Sequence, residues 1–323
     1  MKKVALIDLD TPVYAAASAV TTRSVLVTHE PTQKQKEFST RTEFKEMLKS
    51  KDKLDKIEEY SFLDQQESEP IENACQILKS IVSRIIEQLQ PDEVQYYISG
   101  KDNFRDNIEL PVRYKSGRAN MLRPPHLADV RKFATGKFKA SVCNGQEPDD
   151  AIIINGYAVK QAGNKPVLVS IDKDSLAYSG LYIFNQDKPE LGEVLLPELG
   201  SLWIDEKNKV RGNGFLWYCL QVGIGDKTDT FCPTDLCKAK FGEKSAYKLL
   251  KDCKSEKEAL ESVLLQYKKW YPEPVTYTAW NGVEYTKDYV EIAQMYHKCA
   301  RMMAHEFDDL NFIEFCKQYG VTP

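Results

Sequence analysis

The sequence predicts an α/β fold, a mostly parallel twisted sheet flanked by helices, followed by a C-terminal helical part. Three observations predict it. Short apolar-rich runs at residues 4–7, 94–98 and 166–171 read as buried strands. Segments with helical spacing of apolar residues alternate with them, as parallel sheets require. Beyond about Gly212 the strand-like text gives way to helical periodicity.

In chain order, residues 4–7 form a strand that closes on Asp8 and Asp10, and Thr11-Pro12 opens an alanine-rich helix with proline in its first turn. Residues 22–69 turn polar and read as a surface insertion. It would hold a hairpin from 25–27 and 37–39 and a short helix started by the capping box Thr40-x-x-Glu43. Apolar positions 71, 74, 75, 78, 81, 82, 85 and 89 keep one helix face, and the strand 94–98 follows. A strand at 140–143, a helix at 149–161, the strand 166–171 and β-like pieces at 181–184 and 192–203 continue the pattern. Helical stretches are expected at 215–222, 246–250, 259–267 and 290–303, with a domain boundary near Asn208: residues 1–208 form the α/β domain and 209–323 the helical one. No internal repeat is evident.

Composition narrows the function. The 323 residues are 42% hydrophobic and 28% charged, which fits a folded chain and excludes disorder or collagen-like repetition. No run of eighteen apolar residues occurs and the first ten residues do not resemble a secretory leader, so a soluble protein of the cytoplasm is expected, with no membrane partner. Eight cysteines form no CxxC pair and only four histidines exist, which argues against zinc fingers and disulfide scaffolds. His126, His297 and His305 are expected in packing or surface roles. The net charge of -4 hides its distribution, because residues 101–140 carry ten basic side chains against four acids.

The acids are the chemical signal. Asp8, Asp172 and Asp174 fall at carboxyl ends of expected strands, where ligands gather in open α/β sheets. Glu147, Asp149 and Asp150 open a helix, and Asp226 and Asp229 repeat the three-residue spacing within Gly225-Asp226-Lys227-Thr228-Asp229. Acids at helix starts have an ordinary explanation in capping and the macrodipole. Together, eight carboxylates at one sheet edge would repel unless cations neutralise them, and an oxygen-only donor set selects Mg²⁺, with Mn²⁺ able to substitute. Two such ions about 3.5 to 4 Å apart suit hydrolysis of a phosphate ester.

With these residues in view, the chain resembles the 5′ nuclease (flap endonuclease) superfamily, PIN-like in fold, and within it the small bacteriophage 5′→3′ exonucleases. The resemblance rests on Asp8, on Phe104-Arg105 followed by Pro111-x-x-Tyr114-Lys115-x-x-Arg118, on Glu147 to Asp150, on Ile171 to Asp174 and on Gly225 to Asp229. It implies a two-metal cluster, with Glu147, Asp149, Asp150 and Asp172 nearer one ion and Asp174, Asp226 and Asp229 nearer the other. It implies that residues 101–140 form a basic arch or gateway, with Lys115 and Arg118 as catalytic cations and Arg105 and Tyr114 as DNA contacts. It also implies that Gly242, Lys244 and Ser245 belong to a helix-turn-helix element that holds the duplex backbone beside a monovalent ion such as K⁺. In two places the chain departs from the family pattern. The segment 230–239 is long, with only Gly242 after it left of a glycine-rich loop, and Ser99-Gly100-Lys101-Asp102 stands where an acid is often found, so that either Asp102 substitutes for it or the position is lost.

The activity so implied is 5′→3′ exonuclease with flap-endonuclease character on duplex or branched DNA, extending to the RNA of RNA–DNA hybrids. The chain would be a monomer in the host bacterial cytoplasm that meets replication proteins. Two rivals remain. A haloacid-dehalogenase-like phosphatase would use Asp8-Leu9-Asp10, Ser170 and the late acids, although Pro12 and the basic stretch fit it poorly. A non-catalytic branched-DNA binding protein would have no need to keep all eight acids.

Overall fold

The computed structural model describes residues 1–119 and 121–323. Its elements are β1 (Lys3–Asp8), α1 (Asp10–Ala19), β2 (Thr21–His29), β3 (Lys34–Phe38), α2 (Arg41–Ser50), β4 (Tyr60–Ser68), α3 (Ile71–Leu89), β5 (Glu93–Asn103), α4 (Leu127–Phe138), β6 (Ser141–Gly145), α5 (Pro148–Gln161), β7 (Lys165–Val169), β8 (Tyr182–Phe184), β9 (Glu193–Leu195), β10 (Ser201–Ile204) and β11 (Val210–Asn213). They are followed by α6 (Gly214–Ile224), α7 (Glu243–Leu250), α8 (Glu256–Trp270), β12 (Val275–Thr278), β13 (Glu284–Lys287), α9 (Tyr289–Ala300) and α10 (Phe312–Gln318).

The central sheet has the order β6-β5-β1-β7-β8-β9, parallel throughout except for β9. The all-apolar run in β1 makes it a middle strand: Val4 to Ile7 are at most 2% exposed. From β1 the chain builds outward through β5 and β6, then crosses back to place β7 on the other side of β1. The carboxyl ends of β1 and β7 therefore flank the topological switch point, where such sheets bind ligands. Gly156 on α5 lets the helix sit close on the sheet, since a Cβ there would lie 3.2 Å from Leu168 and 3.3 Å from Leu181.

The chain divides into two compact units, one of Met1–Asp8, Ile86–Met121 and Ala140–Pro323, the other of Leu9–Ile85 and Leu122–Lys139. The break expected near Asn208 does not divide it. Leu202 and Val210, on either side, share one core cluster with Ile108, Leu110 and the helices from Gly214 onward, so the apolar interior is continuous there. Nor is 101–140 a single arch. Val130 and Ala134 give α4 its own buried stripe, and α4 belongs to the second unit while Arg105 to Arg118 belong to the first.

In the second unit the polar stretch 22–69 forms the antiparallel sheet β3-β2-β4, with α2 contributing Phe44 and Leu48 to a core with Val25, Val27 and Phe38. The Thr40 hydroxyl accepts from the Glu43 N–H at 3.0 Å, while the Glu43 carboxylate reaches back to the Ser39 N–H at 2.9 Å. Among the described residues no helix is long and apolar enough to cross a membrane.

Candidate active site

All eight acids singled out in the sequence lie in the first unit. Asp8 ends β1, and the turn after β7 carries Asp172 and Asp174. That turn is built from its own polar groups. The Asp172 N–H donates to the Ser170 hydroxyl at 3.0 Å, and the Asp174 N–H donates to Asp172 Oδ1 at 2.9 Å.

Helix α5 begins immediately beyond β6, with Glu147 as N-cap and Pro148 in the first helical position. Asp150 Oδ2 closes the turn by accepting from the Glu147 N–H at 3.1 Å. Glu147, Asp149 and Asp150 thus share one helical turn beside the ends of the central strands.

The Gly225 to Phe231 loop follows α6. Gly225 has φ +72°, and a Cβ there would lie 2.3 Å from the Phe231 carbonyl oxygen, so only glycine permits the closure. The loop is then pinned by Asp226 N–H to Phe231 O at 3.0 Å and Phe231 N–H to Asp226 O at 3.1 Å. Asp226 and Asp229 are held on this ring of backbone.

Asp149 has Asp8, Asp172, Glu147 and Asp150 as electrostatic neighbours, and burial together with their like charge pushes its carboxyl well above the usual range. Asp174 is pushed up to about 7, by burial first and then Asp172, with Asp226 and Asp229 adding to it against the opposing Lys173. Asp172 adjoins both groups. Gln221, on α6 and 5% exposed, donates Nε2–H to Asp174 Oδ1, and its own Oε1 is buried without a partner.

Cations of the chain stand among these acids. Lys115 pairs with Glu147 and lies 3.7 Å from Asp229, and Arg118 pairs with Asp229 Oδ1. Lys173 pairs with Asp226 at 2.7 Å, which with the Thr228 N–H holds that carboxyl below its usual range although burial works the other way. Lys115 adopts a left-handed backbone, φ 55°, and its N–H donates to the Asp229 carbonyl at 2.8 Å, so the Tyr114 to Arg118 turn is stitched to the Gly225 loop.

Two side chains expected to touch DNA are not available for it. Arg105 is 0% exposed and makes a bidentate pair with Asp150 at 2.6 and 2.9 Å. Burial alone would discourage its charge, but Asp150 holds the guanidinium well above its ordinary value. Tyr114 is 4% exposed, packs near Phe231 and donates its hydroxyl to Asp229 at 3.0 Å. Burial, with Glu147 and Asp229 nearby, pushes its phenol well up, so it remains a donor. Both residues anchor acids of the site from buried positions. Arg118 is exposed. Gly242, Lys244 and Ser245 are exposed at the start of α7, and a Cβ on Gly242 would meet nothing within 4 Å. Asp102 is exposed, in a left-handed backbone, and joins none of the site contacts above.

The expected convergence around shared ions is not drawn tight. Among the described residues no three carboxylate, imidazole or thiol groups stand close enough together to hold one. The physical reason is the countercharge: Lys115, Arg118, Lys173 and Arg105 draw individual carboxylates toward themselves. The donor chemistry still fits a hard divalent cation, because the groups are oxygen donors and Asp149 and Asp174 are raised by burial first and then by neighbouring carboxylates. Sequence reasoning missed Gln221, Lys173 and the backbone of residues 301–303. Lys173 was readable between Asp172 and Asp174, whereas nothing in the local sequence marks the other two.

No protein-family model matches the chain, and no curated protein matches it. Solved structures do. The T5 D15 protein co-crystallised with metal ions is 11% identical with a TM-score of 0.44, covering 98% of this chain and 92% of that one. A mutant of T5 5′-exonuclease is 12% identical with a TM-score of 0.38, covering 76% and 84%. The bacteriophage T5 D15 flap endonuclease in a pseudo-enzyme-product complex with DNA and metal ions is 14% identical with a TM-score of 0.36, covering 59% and 79%.

Proposed function

We propose that this chain is a divalent-metal-dependent phosphodiester hydrolase, a 5′→3′ exonuclease with flap-endonuclease character on duplex or branched DNA and on the RNA of RNA–DNA hybrids. The observation that carries the reading is the setting of Asp149, a carboxyl pressed by Asp8, Asp172, Glu147 and Asp150 at the switch point of a parallel sheet. Glu147, Asp149 and Asp172 would hold one ion, with Asp8 beside them in place of Asp150, whose oxygens Arg105 occupies, and Asp174, Asp226 and Asp229 would hold a second, with Mg²⁺ or Mn²⁺ as the hard cation. Bound there, the ions would neutralise the acids and stabilise charge on the phosphoryl oxygens.

The remaining chemistry belongs to the chain's own residues. Lys115 and Arg118 put positive charge at the rim of the acids, and the exposed Arg118 can reach a substrate phosphate without breaking the fold. Tyr114 keeps Asp229 and Glu147 in place through its buried hydroxyl. Lys244 and Ser245, exposed at the start of α7, suit contact with a duplex backbone, which fixes register and reads no base.

The test is one assay on a 5′-labelled duplex, a flap and an RNA–DNA hybrid, with Mg²⁺ and with EDTA, beside a small aryl phosphate. Metal-dependent cleavage from the 5′ end with an untouched aryl phosphate is the expected result. Hydrolysis of the aryl phosphate alone would favour the phosphatase reading, and binding without cleavage would favour a non-catalytic DNA-binding protein.

A further inference from the structure

Helix α9 stops before its apolar periodicity does. Its spacing runs from 290 to 303, yet the helix ends at Ala300 and Arg301 is extended, with φ −102° and ψ 133°. The next backbone groups have other partners. The Arg301 carbonyl accepts from Arg105 Nη2 at 2.8 Å, the Met302 N–H donates to the Tyr178 hydroxyl, and the Met303 N–H donates to Asp150 Oδ1 at 2.9 Å.

Asp150 is 0% exposed, and its two oxygens receive four N–H groups. These are Arg105 Nη1 at 2.6 Å, Arg105 Nη2 at 2.9 Å, the Met303 amide at 2.9 Å and the Glu147 amide at 3.1 Å. A carboxylate offers about four lone-pair sites, so this one has none left for a cation. Asp150 nevertheless sits on the helical turn that carries Glu147 and Asp149.

We infer that Asp150 is not a metal ligand but the centre of a buried clamp, formed with Arg105 and the 301–303 backbone, that fixes the direction of Glu147 and Asp149. The inference rests on the reading of those acids as a metal-dependent hydrolase centre. Arg105, Asp150 and the Met303 amide are positioning groups. Their geometry explains why a fully buried ion pair, costly in desolvation, is kept here: it ties the start of α5 to a segment that follows in sequence by more than a hundred and fifty residues.

The decisive experiment compares Asp150→Asn, Arg105→Gln and the paired variant, reading free Mn²⁺ by paramagnetic resonance, kcat and KM on the 5′-labelled duplex, and thermal melting. Each single change leaves one buried charge or fork unmatched, and should weaken Mn²⁺ binding and kcat by about tenfold or more while KM moves little. The paired variant is neutral and its two amides can bond to each other, so it should recover most of both losses. A paired variant that binds Mn²⁺ no better than Asp150→Asn alone would overturn the clamp, because a lost ligand cannot be restored from position 105. Should the paired variant fail to fold, Met303→Pro decides, since it removes one donor and no charge. A several-fold fall in kcat at constant KM supports the clamp, and unchanged kcat with unchanged Mn²⁺ affinity overturns it. A wild type that neither binds Mn²⁺ nor cleaves would overturn both readings, whereas a wild type that does both beside an unrecovered paired variant overturns the clamp alone.

Discussion

Asp149 concentrates the electrostatic conflict of the site in one carboxyl, so its removal is expected to act on chemistry more than on binding. Asp149→Asn relieves repulsion from Asp8, Asp172 and Glu147 while deleting a donor to the proposed ions. Single-turnover cleavage should fall about 10²-fold or more, with affinity for a labelled flap unchanged or tighter; cleavage at the wild-type rate would remove the residue from the centre. Lys115→Ala should cost a similar factor of about 10² in rate on 5′-ended substrates if its ammonium meets transition-state charge. An unaltered single-turnover rate would leave Lys115 as no more than a partner of Glu147. His297 gives a residue-level prediction on stability. It is 0% exposed, with Nδ1 bonded to the Tyr218 hydroxyl at 2.6 Å, and burial, then Arg301 and Lys298, hold its imidazole well below 6.5. The folded chain therefore keeps it neutral where the unfolded chain takes up a proton. Its contribution is flat above about pH 6.5 and turns destabilising below it, by up to about 1.4 kcal/mol per unit until the folded-state value is reached. Urea unfolding at pH 7.5 and 5.5 should show wild type losing more stability than His297→Asn over that interval.

Elements were legible where one local pattern dictated them and illegible where distant partners did. The apolar run from Val4 to Ile7 could only be a buried strand, and Thr40-x-x-Glu43 could be read as a helix start because the cap is made within four residues. The hairpin β12–β13 was missed inside a supposedly helical region, although Asn281-Gly282 between Thr- and Tyr-rich runs is a turn signal available from sequence. The end of α9 carried no such signal. Arg105, Tyr178 and Asp150 fix it, and all three are far away in the chain. The placement of the acids at strand ends and helix starts was readable because those are local features, while the burial of Arg105 and Tyr114 depends on packing from other elements. The Gly225 loop is the element whose shape depends most on one residue. Gly225→Ala would place a Cβ 2.3 Å from the Phe231 carbonyl and 2.8 Å from Pro233 Cδ, at φ +72°. A loss of roughly 1–3 kcal/mol or more is expected in urea unfolding, together with reduced cleavage, because Asp226 and Asp229 ride on that loop. Wild-type values of both would contradict the constraint.

At the scale of the molecule, the parallel sheet was readable from the alternation of strand and helix, but the division into units was not, because the second unit is drawn from two separate stretches, Leu9–Ile85 and Leu122–Lys139. A composition shift near Asn208 marks a change of element type, and the core continues across it. The net charge of -4 likewise conceals a local concentration of carboxylates, and that concentration makes whole-chain stability a probe of the site. An ion that binds the folded chain alone stabilises it by RT ln(1 + [L]/Kd), about 2.7 kcal/mol at a hundredfold excess over Kd. For a chain of 323 residues each kcal/mol moves Tm by about 1.5 °C, so Mn²⁺ or Mg²⁺ should raise Tm by about 4 °C over EDTA. The variant carrying both Asp149→Asn and Asp174→Asn should lose that rise. In EDTA it should melt no lower than wild type, because it has shed two carboxyls that burial and like charge oppose. A rise of equal size in the variant would put the ions elsewhere on the chain. A variant that melts well below wild type in EDTA would mean that these carboxyls are structural, and that the repulsion inferred around Asp149 and Asp174 is already relieved by Lys115, Arg118 and Lys173.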